Sequence, residues 1–509
     1  MLSASRTKLM LPMLAAAMLF LALPAEAHVG SPNVFYEGDA GPYHLFVTVM
    51  VPAVIPGVAD VQIRANSSDV RQISTAVTRL AGPGSQYAPV PDLAQRSAVD
   101  PNLFTSSLWL MEYGSMRVLI NVAGTHGAAQ MSVPVPSIAR KMLPMPPALG
   151  ALLLTLAIGL ALGAISIVGA AARESNLPAG GSVTPTLKRR GWRAMAIMSV
   201  VAAAIFYLAF AWWNADAKNY AAVTKFFKPP KLALTLTNGN RLDIRPSPDN
   251  KDWLQFKVMD NLVPDHGHLM HFFLVREPGL DRMWHLHPAQ QPDGSFTDTL
   301  PSIDAGRYAV FADIVGKGGF PWTLVGTIEL PQITGAQMTG DDSAGTAAPL
   351  TPSSDSNVDV LGDGTRVVWH RDDASIRANV PMILRFEVQD QNGHPATDVE
   401  PYMGMAAHAE IISSDLQVFA HIHPSGSVPM AALMLASANS DTSANPARSM
   451  NMSDMNMTGM NTSPASSTAN LSPNLSMPYG FPAPGHYRIF LQFKRNKTIE
   501  TAHFDATVN

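Results

Sequence analysis

One histidine pattern occurs twice in the C-terminal half of this chain, and it restricts the fold more than any other feature. The first copy runs Met270-His271, a short apolar stretch, then Trp284-His285-Leu286-His287-Pro288. The second runs Ala407-His408, a short apolar stretch, then Ala420-His421-Ile422-His423-Pro424. Each is followed by a Gly-x-Tyr and another apolar stretch, from Gly306 and from Gly485. Short apolar runs bounded by Glu277-Pro278-Gly279, and by Ser414-Asp415, predict hairpins. A repeat of this length indicates duplicated domains, not a solenoid.

The spacing suits a metal ion. Residues i and i+2 of a strand share a face, so His285 and His287 point together. A hairpin folded about Gly279 sets His271 opposite His287, and one folded about Ser414-Asp415 sets His408 opposite His423. Directly opposed Cβ atoms lie roughly 4.5–5.5 Å apart, close enough for three imidazoles to meet one ion at about 2.0–2.1 Å. The candidate ligands are His271, His285 and His287 in the first copy, and His408, His421 and His423 in the second. His266 and His268 add either a fourth ligand or plain loop. The alternative for both copies is a hydrogen-bonded rim that fixes the loop after each strand.

The chain has 509 residues, a net charge of −4 and no cysteine. The charge gives no case for nucleic-acid binding, and no P-loop or dinucleotide glycine pattern supports nucleotide binding. Without cysteine, disulfides, iron–sulfur clusters, thiolate zinc sites and the usual blue-copper centre are excluded.

Three apolar segments set the topology. Arg6 and Lys8, the run Leu9 to Leu23 and Ala25-Glu26-Ala27 predict a signal peptide over 1–27. Residues 146–172 and 194–213 predict two transmembrane helices. The loop 173–193 carries Arg173, Lys188, Arg189, Arg190 and Arg193 against Glu174, which predicts a cytoplasmic loop. Both flanking parts then lie in the periplasm of a bacterial inner-membrane protein, with the lipid bilayer as a partner. Gly159 and Gly163 predict close packing against Ala202-Ala203-Ala204. No Asp, Glu, Lys, Arg or His lies within either span, so the helices read as an anchor.

The expected fold class is mainly β: three immunoglobulin-like or cupredoxin-like β-sandwich domains plus the two-helix anchor. The domains are 28–140, 231–332 and 359–509, with a linker over 333–358 and a disordered Met-rich insertion over 425–478. Asp304-Ala305-Gly306-Arg307-Tyr308 has the form of a tyrosine corner.

Within that insertion lie Met450, Met452, Met455, Met457 and Met460, five methionines in eleven residues with no other apolar residue. A thioether is a soft ligand that selects Cu(I). The cluster resembles the Met-rich segments of bacterial periplasmic copper-resistance proteins, which implies copper, as Cu(I) and/or Cu(II).

Two further resemblances concern the N-terminal region. His28-Val-Gly-Ser-Pro, Glu37 to Tyr43, Val51 to Ala59 and Ser107 to Val118 together resemble YtkA-like domains, which are related to FixH-type extracytoplasmic proteins. That implies an immunoglobulin-like β-domain in a membrane-anchored accessory protein. Cleavage after Ala27 leaves His28 with a free amine beside its imidazole, which resembles CopC-like copper carriers. His44 or His126 would supply the further imidazole that such a site needs.

These readings converge on a membrane-anchored periplasmic copper-binding protein for sequestration or delivery, not an enzyme. Its expected partners are a copper chaperone, a transporter or a cuproenzyme. Metal binding is expected to weaken below about pH 6, where ordinary imidazole protonates. One alternative is a non-metal scaffold or adhesion module. Another is a copper oxidoreductase, but multicopper oxidases need a cysteine and four His-x-His motifs, and this chain has two such motifs and no cysteine.

Overall fold

The computed structural model describes residues 28–29, 33–140, 145–178, 180–224, 229–250, 259, 261–351, 356–371, 375–444 and 471–509. The chain is mainly β, in many antiparallel sheets. It divides into a helical unit over 138–227 and a β unit made of the remaining residues.

The helical unit contains two helices, Pro147–Glu174 and Pro185–Thr224. Both are long and apolar enough to cross a membrane, each containing an 18-residue stretch of high mean hydropathy, 2.5 in the first and 2.3 in the second. Proline at the first turn costs neither helix a hydrogen bond, because those backbone donors have no intrahelical partner. The second helix starts before Ala194 and continues beyond Trp213, the limits set by apolarity alone. The helices meet at Gly169, where a Cβ would lie 2.3 Å from Met195 Cγ, and at Gly191, where a Cβ would lie 3.0 Å from the Gly169 carbonyl oxygen. Gly159 and Gly163, the expected contact, would meet nothing within 4 Å. The connection between the helices is short and ties their adjacent ends together, so close packing falls at those ends.

Among the described residues the β unit contains three pairs of sheets. In the N-terminal pair the strand Gly57–Ala65 buries every second residue, Ala59, Val61, Ile63 and Ala65, as one half-covered face requires. The middle and C-terminal parts each combine a four-stranded with a six-stranded sheet. In the middle part Phe272 pairs with Leu286, a register that sets His271 opposite His287. On its other side the same strand runs against Gly306–Gly316, with His271 opposite Asp313. The C-terminal part repeats both relations: Ala409 pairs with Ile422, and His408 lies opposite Gln492 of Gly485–Arg495. The hairpin registers are those the sequence predicts. Tyrosine corners close both repeats, with Tyr308 Oη donating to the Asp304 carbonyl and Tyr487 Oη to the Ala483 carbonyl, each at 2.7 Å.

The two repeats share a core that includes Phe273, Val275, Met283 and Phe311 from the first and Ile412, Phe419 and Phe490 from the second. Phe311 and Phe419 stack with centroids 4.2 Å apart and planes 7° apart. Val275 and Ile412, Met283 and Phe419, and Phe311 and Phe490 hold equivalent positions in the two repeats. The same surface of each repeat therefore faces its twin, an isologous arrangement like that of a two-fold dimer.

Two segments differ from expectation. Within the stretch expected as a linker, Ser343–Thr346 is a strand paired with Arg282–Leu286. Within the expected insertion, Met430–Ala444 is a helix and Asn474–Tyr479 a strand, so the part outside the described residues narrows to 445–470. Met430-Ala-Ala-Leu-Met-Leu-Ala is built from strong helix formers, and its Ala431, Ala432, Leu433, Leu435 and Ala436 are buried. The helix is fastened at both ends of this run: Ala431 N–H donates to Asp265 Oδ1 at 2.7 Å, and Arg117 donates to the Ala436 carbonyl at 3.1 Å.

Candidate metal centre

The histidines of the two repeats meet at their shared interface. His271 and His421 have ring centroids 5.2 Å apart, and His285 and His421 5.5 Å apart. One triple with nitrogens mutually within 4.8 Å is His271, His285 and His287, the set expected from the first copy. The other is His266, His408 and His423. It takes its third member from the first repeat in place of His421, which still lies against it: His421 Nε2 is 3.1 Å from His408 Nδ1. Of the expected second triple, His408 and His423 fall in this group, with His266 joining them across the interface, and His421 lies beside His408 outside it.

Hydrogen bonds fix which nitrogen of each ring faces inward. His271 Nε2 is 3.1 Å from the Asp265 carbonyl, and His408 Nε2 is 3.2 Å from the Tyr402 carbonyl. A carbonyl only accepts, so both Nε2 atoms carry hydrogen and both Nδ1 atoms present lone pairs. His285 Nδ1 donates to Gln492 Oε1 at 2.8 Å, while Gln492 Nε2 donates to Ser343 Oγ at 2.5 Å. The remaining lone pair, on His285 Nε2, faces that of His271 Nδ1 at 3.1 Å.

Two neutral nitrogen acceptors in contact repel unless a cation lies between them. Ligands on a tetrahedral ion with bonds of about 2.05 Å are separated by about 3.3 Å, close to the observed spacing. His287 completes this set: its Nδ1 is 3.0 Å from Asp342 Oδ1, and its Nε2 is buried without a partner. His266 likewise binds the Met403 carbonyl through Nδ1 at 2.9 Å and leaves Nε2 buried and unpartnered. Both ring nitrogens of His423 are buried without a hydrogen-bond partner. Outer nitrogens tied to oxygen and inner nitrogens left open are the usual support of a metal-binding imidazole.

Burial makes the cluster neutral. It pushes His271, His285, His408, His421 and His423 well below the usual imidazole range, and His287 down to about 3. The neighbouring imidazoles add to this, since each disfavours charge on the next. Burial also lifts nearby carboxyls, Asp313 to about 7 and Asp342 to about 6. Glu410 is fully buried with neither oxygen hydrogen-bonded, and lies 3.8 Å from His285 Nδ1; burial raises its pKa well above the ordinary value.

Sequence reading missed the oxygen partners, because Asp341, Asp342 and Gln492 lie far from the histidine motifs along the chain. Asp341 and Asp342 fall in the stretch read as a linker, where Asp341 Oδ2 holds His268 Nε2 at 3.0 Å. The repeat itself held the signal for Gln492, which occupies the place of Asp313 in the first copy.

The other candidates stand elsewhere. The backbone of His28 runs parallel to the strand Val418–Ile422, beside Val418 and three residues before His421; its side chain lies outside the described residues. His44 is held between Asp39 at 2.6 Å and Glu37 at 3.0 Å, and His126 is exposed near Asp69. Met450, Met452, Met455, Met457 and Met460 lie outside the described residues.

Residues 358–509 match the model of one family, described as a domain of unknown function, DUF8832. No curated protein matches the chain. Among solved structures, an engineered protein is 14% identical over 18% of this chain and 19% of its own, with a TM-score of 0.14. This chain therefore spans about a fifth of that protein's length. A tetra-tandem repeat from a large adhesion protein is 9% identical over 91% of this chain and 73% of its own, with a TM-score of 0.15. A fragment of the ICAM-5 ectodomain, D1–D4, is 8% identical over 92% and 77%, with a TM-score of 0.14.

Proposed function

We propose that this chain is a membrane-anchored periplasmic copper-binding protein that sequesters or delivers copper and catalyses no reaction. One observation carries the reading: the lone pairs of His271 Nδ1 and His285 Nε2 face each other at 3.1 Å, each ring held from behind by an oxygen. Imidazole accepts Cu(II), and the thioethers of Met450 to Met460 add soft ligands suited to Cu(I). The two apolar helices support the anchor, and the excess of Lys and Arg in the loop between them supports a periplasmic β unit. The tyrosine corners support an immunoglobulin-like or cupredoxin-like reading of the two repeats. A chaperone, transporter or cuproenzyme would receive or supply the metal.

The test is metal stoichiometry on the full-length protein in detergent, titrated separately with Cu(I), Cu(II) and zinc. The control replaces His271, His285, His287, His408, His421 and His423 by Ala. Tight binding that this control abolishes for Cu(II) is expected. Equal, weak binding by both proteins would refute a metal centre and leave the histidines as a structural interface.

A further inference from the structure

The turns that precede His271 and His408 are one structure carrying different donors. In the first, Asp265 and His268 exchange backbone hydrogen bonds of 2.8 and 2.9 Å around His266 and Gly267. In the second, Tyr402 and Met405 exchange bonds of 2.8 and 3.0 Å around Met403 and Gly404. His266 and Met403 both adopt left-handed backbone conformations, with φ of 50° and 49°. That is uncommon for residues with a Cβ. The repeat offset, 408 − 271 = 137, maps His266 onto Met403 and His268 onto Met405.

The left-handed position sends its side chain across the interface. The ring of His266 lies 5.0 Å from that of His408 and 4.8 Å from that of His423, both in the other repeat. The turns themselves touch, through His266 Nδ1 and the Met403 carbonyl. The next donor along does something else: His268 stacks on His287 with centroids 3.9 Å apart and gives its Nε2 to Asp341. His266, not His268, is therefore the residue of this turn that reaches the histidines of the other repeat.

We infer that the cluster holds two ions in unlike ligand sets, His408, His421 and His423 with the crossing imidazole of His266, and His271, His285 and His287 with the crossing thioether of Met403. This rests on the proposed metal centre and deepens it. By the same isologous relation Met403 is assigned to His271 and His287, the counterparts of the His408 and His423 that His266 meets. The unpartnered Nε2 of His287 marks the open side of the set that Met403 completes. Three imidazoles and a thioether form the softer set and take Cu(I); four imidazoles take Cu(II) or zinc.

The experiment uses the full-length protein in detergent with Met450, Met452, Met455, Met457 and Met460 each changed to Ser, which removes the other thioether cluster. Copper K-edge absorption of the Cu(I)-loaded protein reports sulfur ligation without any change at residue 403. Competition against a Cu(I) chelator is then compared for this protein and its Met403→Leu and Met403→His variants, with zinc titrated in parallel. The inference expects a sulfur shell that Met403→Leu removes, a Cu(I) affinity at least tenfold weaker in one site, and an unchanged zinc site. Met403→His should restore occupancy of that site with a preference for Cu(II) or zinc. Tight Cu(I) binding with no sulfur shell, or an affinity indifferent to Met403→Leu, would overturn the inference and leave the histidine centre standing. Loss of all tight metal binding in the starting protein would overturn both.

Discussion

His285 of the first repeat is positioned by Gln492 of the second, which accepts from its Nδ1 at 2.8 Å. The reverse relation joins Asp313 of the first repeat to His421 of the second, with Oδ2 and Nδ1 3.7 Å apart. Asp313 and Gln492 occupy equivalent positions, so each repeat sets a polar side chain beside a ring belonging to the other, and Gln492 hydrogen-bonds its ring. The centre is a property of the pair of domains. Gln492→Leu should leave the His285 N–H and Ser343 without their partner, at about 1–3 kcal/mol of stability. Metal affinity should fall about 10–100-fold, as for other residues that orient a ligand. Chelator competition and urea unfolding of the metal-free protein measure the two effects separately.

Acid should release metal later than free imidazole chemistry predicts. An unfolded chain protonates its histidines near about pH 6.5, whereas burial holds His287 at about 3 and its five neighbours also well below the ordinary value. Protons therefore do not compete for these nitrogens until the pH approaches the depressed values. In the Glu410→Gln protein, which has no carboxyl at that position to lose a proton on loading, binding measured at pH 5 should match that at pH 7 within about twofold, where ordinary imidazole would lose it. A sigmoidal loss centred near about 6.5 would contradict the buried cluster.

Stability of the metal-free protein carries opposed terms in the same range. Depressed imidazoles lose their stabilising contribution as pH falls below about 6.5, because the unfolded chain then binds more protons. Raised carboxyls act in the other direction: Asp313, at about 7, and Asp342, at about 6, hold protons that the unfolded chain has lost. Below about pH 4 the carboxyls are protonated in both states, and only the histidine term remains. Urea unfolding should show a shallow dependence from about pH 6.5 to 4 and a steep loss below that.

Glu410→Gln should weaken divalent binding about tenfold or more. The wild-type carboxyl is buried without a partner 3.8 Å from His285, so it can ionise to offset the charge of an arriving cation. The amide cannot ionise, and loading should release about one proton fewer per protein. Calorimetry in buffers of different ionisation enthalpy counts that proton.

Phe419→Ala should separate the repeats. Phe419 is fully buried and stacks on Phe311, so its loss should cost about 3–5 kcal/mol. Because the ligand sets depend on that interface, Cu(II) affinity should fall with it. A variant that lost stability and kept full affinity would show that one repeat suffices.

Deleting residues 445–470 removes all five clustered methionines and no described strand or helix. Cu(I) stoichiometry should fall, while Cu(II) and zinc stoichiometry at the histidines should not change. Metal titration of the deleted and intact proteins decides this.

The hairpin registers were legible because strand geometry is local: a two-residue period and a turn determine which histidines share a face. The union of the two triples was not, since it depends on packing between surfaces more than a hundred residues apart. His266 and Met403 illustrate the limit. Their turns are recognisable once the repeats are superposed, but the left-handed backbone they share, which aims His266 across the interface, leaves no hydropathy signal. The strand Ser343–Thr346 was hidden by its small residues, which suit a strand squeezed between the repeats: a Cβ on Gly345 would lie 2.7 Å from Thr501 Cγ2. The helix from Met430 was masked by the polar composition of the segment that follows it.

The anchoring of that helix has a consequence for how metal would move. Asp265 accepts from Ala431 through its carboxylate and from His271 through its carbonyl, so the helix begins beside the ligands. Its 15 residues rise about 22 Å. Six and sixteen residues of sequence separate its end, Ala444, from Met450 and Met460, at most about 22 and 58 Å of extended chain. A Cu(I) ion held by those methionines would thus meet the histidines as a tethered reactant. The hand-off would be intramolecular, at an effective concentration near the millimolar range, and its rate would be independent of how dilute the protein or the metal is.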